Sequence, residues 1–281
     1  MTDTRQVVVV TGGTKGVGAG IARSFLAAGA RVVVCARRPP DRPVQAAGAA
    51  AEFRPLDLRD AEAAHTFFAE VAADHGRLDA LVNNAGGTPF GLLAESAPAR
   101  QAKIVELNLL APLYASLAAY EVMRGQKTGL ESGREPGQER GREPGQEPGR
   151  EPGAGAASIT MIGSVSGSRP SPGSGAYGAA KAGLENLART MAVEWAPQVR
   201  VNTVVLGLAR TESAHLHYGD EDGIAQVART VPLGRLADPS DVGDACVFLA
   251  SDAARYISGA ALHLHGGGER PAFLDAASVN H

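Results

Sequence analysis

Tyr177 and Lys181 stand four residues apart in SGAYGAAKAGLENLARTMAVEW, and Ser164 lies thirteen residues before the tyrosine at the end of SITMIGS. These residue types make a proton-transfer device. The stretch after Tyr177 is Ala-rich with apolar positions three and four apart, which predicts a helix. On a helix, positions i and i+4 are turned from each other by only about 40°, so phenol and ammonium share one face. An ammonium beside a phenol favours the phenolate and is expected to lower the tyrosine pKa from its ordinary value of about 10. A tyrosine tuned that way gives or takes a proton near neutral pH. Tyr-x-x-x-Lys alone is common on helix surfaces, so its weight depends on what stands upstream.

Upstream stands the pattern of a nucleotide site. Residues 6–11 (QVVVVT) form a short β-branched run, as a buried parallel strand does. Gly12-Gly13-Thr14-Lys15-Gly16-Val17-Gly18 follows, then the amphipathic AGIARSFLAAG and a second apolar run, RVVVCA. The order is strand, glycine turn, helix, strand. Glycines let a backbone approach a pyrophosphate, and the helix start offers free N–H groups to receive it. The spacing is Thr-Gly-x-x-x-Gly-x-Gly rather than the Gly-x-Gly-x-x-Gly of ordinary dinucleotide folds.

With these motifs in order the chain resembles the short-chain dehydrogenase/reductase family. The further marks are Asp57 in PLDLRD, Asn83-Asn84-Ala85-Gly86 after LDALV, Asn108 in VELNLLAP, the VNTVVLGLART segment and the late PLGRLADPSDVGDACVFLASD. The resemblance covers nearly the whole chain apart from one insertion. It implies a single-domain Rossmann fold, a nicotinamide cofactor and a catalytic tetrad of Asn108, Ser164, Tyr177 and Lys181. It also implies that Gly12, Thr14, Lys15, Gly16, Val17 and Gly18 cradle the cofactor. Asp57 is expected at the adenine amino group with Leu58 beside it. Asn84, Ala85 and Gly86 are expected on the cofactor floor, with Gly207, Ala209 and Thr211 near the nicotinamide or phosphates. Lys181 is expected to hold the nicotinamide ribose, and Asn108 a water that links Lys181 to solvent. Two departures stand out: Leu206-Gly207 replaces the family's Pro-Gly, and His265-Gly266-Gly267 replaces Asp-Gly-Gly.

Charge points to the kind of cofactor. NAD-preferring relatives place an acid at the end of the second strand to hold the ribose hydroxyls. Here that place is Ala36, followed by Arg37 and Arg38. A guanidinium suits a 2′-phosphate and finds no partner in a bare ribose. NADP is therefore expected before NAD, with Lys15 helping. Tyr177 would exchange the proton with a carbonyl or alcohol oxygen, Ser164 would hydrogen-bond that oxygen, and Lys181 would tune the tyrosine. The expected activity is an NADP(H)-dependent carbonyl reductase or alcohol dehydrogenase, with a 3-oxoacyl thioester reductase of fatty-acid or polyketide metabolism as the alternative. A nucleotide-sensing protein without catalysis is disfavoured because all four tetrad residues are present. Substrate walls are expected from residues 87–97, 165–175 and 208–235. The last of these reads as a mobile lid that carries Leu208, Leu216, Tyr218 and Ile224.

The elements that must position these groups alternate along the chain. Strands are expected near 6–11, 31–36, 52–54, 78–83, 157–163, 199–205 and 260–265. Helices are expected near 17–28, 60–75, 98–123, 176–196 and 239–251. This order predicts an α/β fold, a doubly wound parallel sheet of seven strands, over residues 1–268. Residues 125–156 interrupt it, with GREPG recurring three times and almost no apolar residues. Such a stretch cannot offset its own ordering entropy and is expected to be a disordered loop on the face away from the chemistry. Residues 269–281 are read as a C-terminal tail.

Composition bounds the rest. With 281 residues the chain suits one large α/β domain. A net charge of −3 offers no footprint for nucleic acid or a membrane surface. No apolar run suggests a membrane span, and the first strand starts too early to follow a signal peptide. Cys35 and Cys246 sit in apolar stretches and read as buried thiols, so a reducing cytoplasm is expected. His215-x-His217 reads as part of a solvated loop rather than a metal site. The resemblance implies pairing of helices near 98–123 and 176–196 into a homotetramer, or a dimer, and the apolar NLLAPLYASLAAYEVM suits a helix with a second buried face.

Overall fold

Val7, Val8, Val9 and Val10 are each 2% exposed or less, and alternate ones feed opposite faces of a sheet. Val7 and Val9 join one apolar cluster, and Val8 and Val10 join another. A strand buried on both faces belongs at the centre of a parallel sheet covered by helices on each side. That is its place in this computed structural model, which describes residues 5–128, 156–269 and 271.

The elements in chain order are β1 (Val7–Thr11), α1 (Gly16–Ala27), β2 (Arg31–Ala36), β3 (Gln45–Ala46), β4 (Ala49–Ala50), β5 (Glu52–Pro55), α2 (Ala61–His75), β6 (Ala80–Asn83) and α3 (Pro98–Val105). Then follow α4 (Ala111–Thr128), β7 (Ala157–Ser164), α5 (Gly175–Glu194), β8 (Val199–Leu206), α6 (His215–Tyr218), α7 (Glu221–Arg229), α8 (Pro239–Ala250) and β9 (Ala261–Leu264). The sheet runs β5-β2-β1-β6-β7-β8-β9, and its neighbours are parallel throughout. This is the seven-stranded, doubly wound Rossmann arrangement expected from the alternation. On one side α2, α4 and α5 bury Phe68, Ala115, Met123, Leu184 and Met191. On the other, α1 and α8 bury Ile21, Phe25, Val242, Cys246 and Leu249. The strand order reverses between β1 and β6, which is where ligands enter open α/β sheets.

Three local features differ from the sequence expectation. The helix expected over 98–123 is two helices, α3 and α4, joined by a π turn at Glu106–Leu110. The second half runs on to Thr128, so the first residues of the expected insertion are helical; residues 129–155 lie outside the described residues. A two-strand antiparallel hairpin, β3 with β4, follows β2. Its turn uses Ala47 at φ 50 beside Gly48 at φ 77. Alanine is not a turn signal, so the hairpin was illegible in the sequence.

By length and by a mean hydropathy of 1.2, the continuous helical stretch Pro98–Gln126 has the composition of a membrane span, contrary to expectation. Its Ala111, Ala115, Ala119 and Met123 instead pack in the core among Leu81, Ile159 and Met161 of the strands.

Candidate active site

At the switch point, β1 ends in Thr11, which is 1% exposed. Its hydroxyl oxygen accepts the backbone N–H groups of Asn84 and Ala85, both at 3.0 Å. Asn84 returns its amide to the carbonyl oxygens of Thr11 (2.9 Å) and Gly12 (3.2 Å). The glycine turn and the end of β6 are thus one hydrogen-bonded unit. Gly18 is required by that unit: a Cβ there would stand 2.3 Å from the Gly12 oxygen and 2.4 Å from the Asn84 amide. α1 begins at Gly16, and the side chain of its N-cap residue Lys15 makes no capping hydrogen bond. Its Gly16 N–H donates to the Glu212 carboxylate at 3.1 Å, so an anionic group already rests where the helix dipole favours one.

The tetrad residues come from three elements: the π turn, β7 and α5. Ser164 ends β7, and its hydroxyl oxygen accepts the N–H of Ser166 at 3.2 Å. Tyr177 and Lys181 lie one turn apart on α5, as the spacing requires. Lys181 is 4% exposed, and its ammonium donates to the Ile162 carbonyl oxygen at 2.8 Å. The same ammonium stands 5.6 Å from the centroid of the Tyr177 ring. Asn108 is fully buried in the π turn. Its amide nitrogen donates to the carbonyl oxygens of Ile104 (2.8 Å) and Gly87 (3.0 Å), and its amide oxygen accepts the Gly87 N–H at 2.9 Å. Asn108 therefore satisfies backbone groups and fixes the loop after β6. A Cβ on Gly86 would stand 2.6 Å from the Asn108 oxygen and 3.5 Å from the Lys181 nitrogen. Only glycine leaves the route between those two polar groups open.

The electrostatics correct one expectation. Burial pushes the Tyr177 phenol above its ordinary value, and the hydrogen bond with Ser164 offsets part of that rise. Burial also pulls the Lys181 ammonium down, to about 8. Loss of water raises the cost of a phenolate and of an ammonium alike. Here burial dominates both groups, and Tyr177 is protonated at neutral pH.

Ser164, Tyr177 and Lys181 share one cavity of about 660 Å³, within the range of ligand sites, while Asn108 is fully buried off its wall. Gly12, Thr14, Lys15, Gly16, Val17 and Gly18 line one end. Asn84, Ala85, Gly86, Ser164, Tyr177, Lys181, Gly207 and Thr211 line the middle. Arg37, Asp57 and Leu58 line the far end. Arg38 and Ala209 are off the wall: Arg38 is exposed, and Ala209 packs toward the core below. Arg59, Lys103 and Glu212 are on the wall and were not singled out in the sequence. Asp57 is not free for a ligand alone. Arg59 donates to it through Nη2 (2.5 Å), Nε (2.9 Å) and its own N–H (3.2 Å). That fork holds the Asp57 carboxyl down at about 2. The backbone cradle closed by Gly18, the α1 N-terminus and the cationic far end suit a dinucleotide.

The substrate side is more ordered than a loose lid. Ala214, Ile224, Val231 and Leu236 form a small core of their own, with Leu208 and Tyr218 against it. Leu216 alone of the four expected apolar residues is turned outward, at 72% exposed. Opposite, the Gly91 N–H donates to the Gly173 oxygen at 2.9 Å and the Phe90 ring rests on Gly173, which ties the two remaining walls together. Arg169 pairs with Glu269 at 2.5 Å. The His215 and His217 pair lies on α6, and the His263 and His265 rings stand 5.2 Å apart at the end of β9.

The chain is similar to known proteins in sequence and fold. The profile described as short chain dehydrogenase matches residues 6–130, and the profile described as Enoyl-(Acyl carrier protein) reductase matches residues 147–269. The chain is 34% identical to a cis-4-hydroxycyclohexanecarboxylate dehydrogenase of Sinomonas cyclohexanicum, over 93% of this chain and 96% of the relative. It is 31% identical to a 3-oxoacyl-acyl-carrier-protein reductase of Haemophilus influenzae, over 93% and 97%. The ligand-free aldohexose dehydrogenase of Thermoplasma acidophilum superposes with a TM-score of 0.78 at 25% identity, over 94% and 93%.

Proposed function

The chain belongs to the short-chain dehydrogenase family, whose members are oxidoreductases that bind a nicotinamide cofactor, and from that premise we propose an NADP(H)-dependent enzyme that interconverts a carbonyl and a secondary alcohol. The observation that carries the reading is the convergence of Ser164, Tyr177 and Lys181 on the cavity that the glycine turn closes. A bound nicotinamide dinucleotide supplies or accepts the hydride. Tyr177 is the proton donor to the carbonyl oxygen. The phenol is protonated at neutral pH, so it has the proton that reduction needs. Ser164 hydrogen-bonds the same oxygen as charge develops on it. Lys181, protonated below about 8, places positive charge beside the tyrosine when its proton leaves. Asn108 holds the loop at Gly87 and faces Lys181 across Gly86.

Arg37 on the wall, with Ala36 where an acid would oppose a 2′-phosphate, supports NADP over NAD. A charge-assisted contact is worth about 1.5–3 kcal/mol, or roughly ten- to a hundredfold in affinity. The exposed Phe90, Leu93 and Leu216 beside the substrate walls, and the Haemophilus relative, support a 3-oxoacyl thioester as the second reading of the substrate. The buried free thiols Cys35 and Cys246 suit a reducing cytoplasm. Exposed Leu117 on α4 and Val193 on α5 suit the pairing of these helices in a homotetramer.

A panel of ketones, aldehydes and a 3-oxoacyl thioester, read by oxidation of NADPH and NADH, tests the reading. The expected result is turnover with at least tenfold higher kcat/KM for NADPH, and loss of at least a hundredfold in Tyr177→Phe with cofactor binding kept. Equal or NADH-favouring kinetics removes the NADP assignment. Turnover of Tyr177→Phe within a fewfold of the parent removes the tyrosine from its role.

A further inference from the structure

Arg37 is not the only cation at the far end of the cavity. β2 pairs with β5 so that Ala36 faces Pro55, and the Leu56 N–H donates to the Ala36 oxygen at 3.1 Å. Asp57 and Arg59 therefore leave the sheet from the strand beside Arg37, and all three line the same end. Asp57 brings a full negative charge to the place where Ala36 had removed one, and Arg37 is close enough for its charge to act on that carboxylate. Uncompensated, this carboxylate would repel a 2′-phosphate as an acid at position 36 does. Arg59 compensates it with a fork of two side-chain hydrogen bonds, which fixes the guanidinium plane. About a third of the Arg59 side chain remains exposed. Its fork leaves other N–H donors unused by Asp57, because a guanidinium carries five. The charge of Glu106 also acts on Arg59 and favours its charged form.

We infer that Arg59 is a specificity residue for the 2′-phosphate: it cancels the Asp57 carboxylate and presents a fixed guanidinium beside Arg37. The inference rests on the NADP reading and names the residue that makes it work in this chain. Arg38, the neighbour in sequence, is exposed and off the wall.

The test uses two small probes, adenosine 2′,5′-bisphosphate and AMP, which differ only in the 2′-phosphate. Their dissociation constants are measured by calorimetry on the full chain, and the ratio of the two is the readout. The ratio is insensitive to general damage at the adenine end, because such damage weakens both probes. The parent is expected to favour the bisphosphate at least tenfold. Arg59→Met is expected to lower that preference about tenfold while AMP affinity stays within about twofold. Asp57→Asn, which frees Arg59 from its partner and removes the opposing charge, is expected to raise the preference at least threefold. A ratio unchanged in Arg59→Met, with the parent preference present, overturns the role of Arg59 and leaves NADP standing. No preference in the parent overturns both. If Arg59→Met does not fold, Asp57→Asn decides alone, and a preference that stays level or falls overturns the inference.

Discussion

Lys181 carries its ammonium into the protein interior, 4% exposed, with the Ile162 oxygen as its hydrogen-bond partner. Burial lowers its pKa from 10.5 to about 8. A tenfold change in proton affinity is worth about 1.4 kcal/mol, so the buried charge costs the fold about 3 kcal/mol. The sign follows from proton binding. Between pH 8 and 10.5 the unfolded chain holds the lysine proton more tightly than the folded one, so stability rises with pH across that window. Below pH 8 the penalty is complete. Lys181→Met is therefore expected to melt several degrees higher than the parent at about pH 7 while losing turnover. The gain should shrink as pH rises from 8 towards 10.5. Thermal unfolding of both proteins across that range checks it, and a variant less stable than the parent at neutral pH would falsify the account. The same burial reverses the direction expected for Tyr177. Residue type and spacing disclosed the pair, but depth decided its protonation.

Two elements are shaped by the site rather than by helix propensity alone. The π turn at Glu106–Leu110 lets the Asn108 amide reach both the Ile104 oxygen and Gly87. Turns of this kind insert an extra residue and are frequent at functional sites. The α1 N-terminus is the second case. Its Gly16 N–H is taken by Glu212, 196 residues on in sequence, from the segment that leads into α6. A carboxylate at a helix N-terminus is worth about 0.3–1 kcal/mol when exposed. On the proposed reading a dinucleotide would bring its pyrophosphate to the same helix end, where the two anions would oppose each other. Glu212→Gln is expected to tighten NADPH binding about two- to tenfold, most at low salt. Cofactor fluorescence titrations at two salt concentrations measure this. Unchanged or weaker binding would show that Glu212 sits clear of the phosphates.

For the whole molecule, every tetrad side chain depends on the carboxyl ends of the strands, while α4 ends at Thr128 and β7 begins at Ala157 on the opposite edge. The described residues that flank the repeat, Thr128 and Ala157, therefore lie away from Tyr177. Replacing residues 129–155 by a short Gly-Ser turn is expected to leave kcat/KM within about twofold, because closure entropy changes only slowly with loop length. The parent is expected to show the proposed tetramer mass by light scattering, and the trimmed chain to keep it. A large loss of activity, or a monomeric mass for either protein, contradicts this reading.

The sheet and the order of its motifs were legible because their signals are local. Runs such as QVVVVT and RVVVCA mark strands buried on both faces, and the glycine turn, Ser164, Tyr177 and Lys181 each sit at a strand end or on one helix face that periodicity locates. What tertiary structure decided is everything that depends on contact between distant segments. The Asp57–Arg59 fork acquires meaning only when β5 lies beside β2 and brings Arg37 to it. Glu212 meets Gly16 only when the segment after β8 folds back over the glycine turn. Leu208, Tyr218 and Ile224 cover one another only once α6 and α7 form. The pKa directions of Tyr177 and Lys181 depend on how much water the fold removes, and no spacing of residues records that depth.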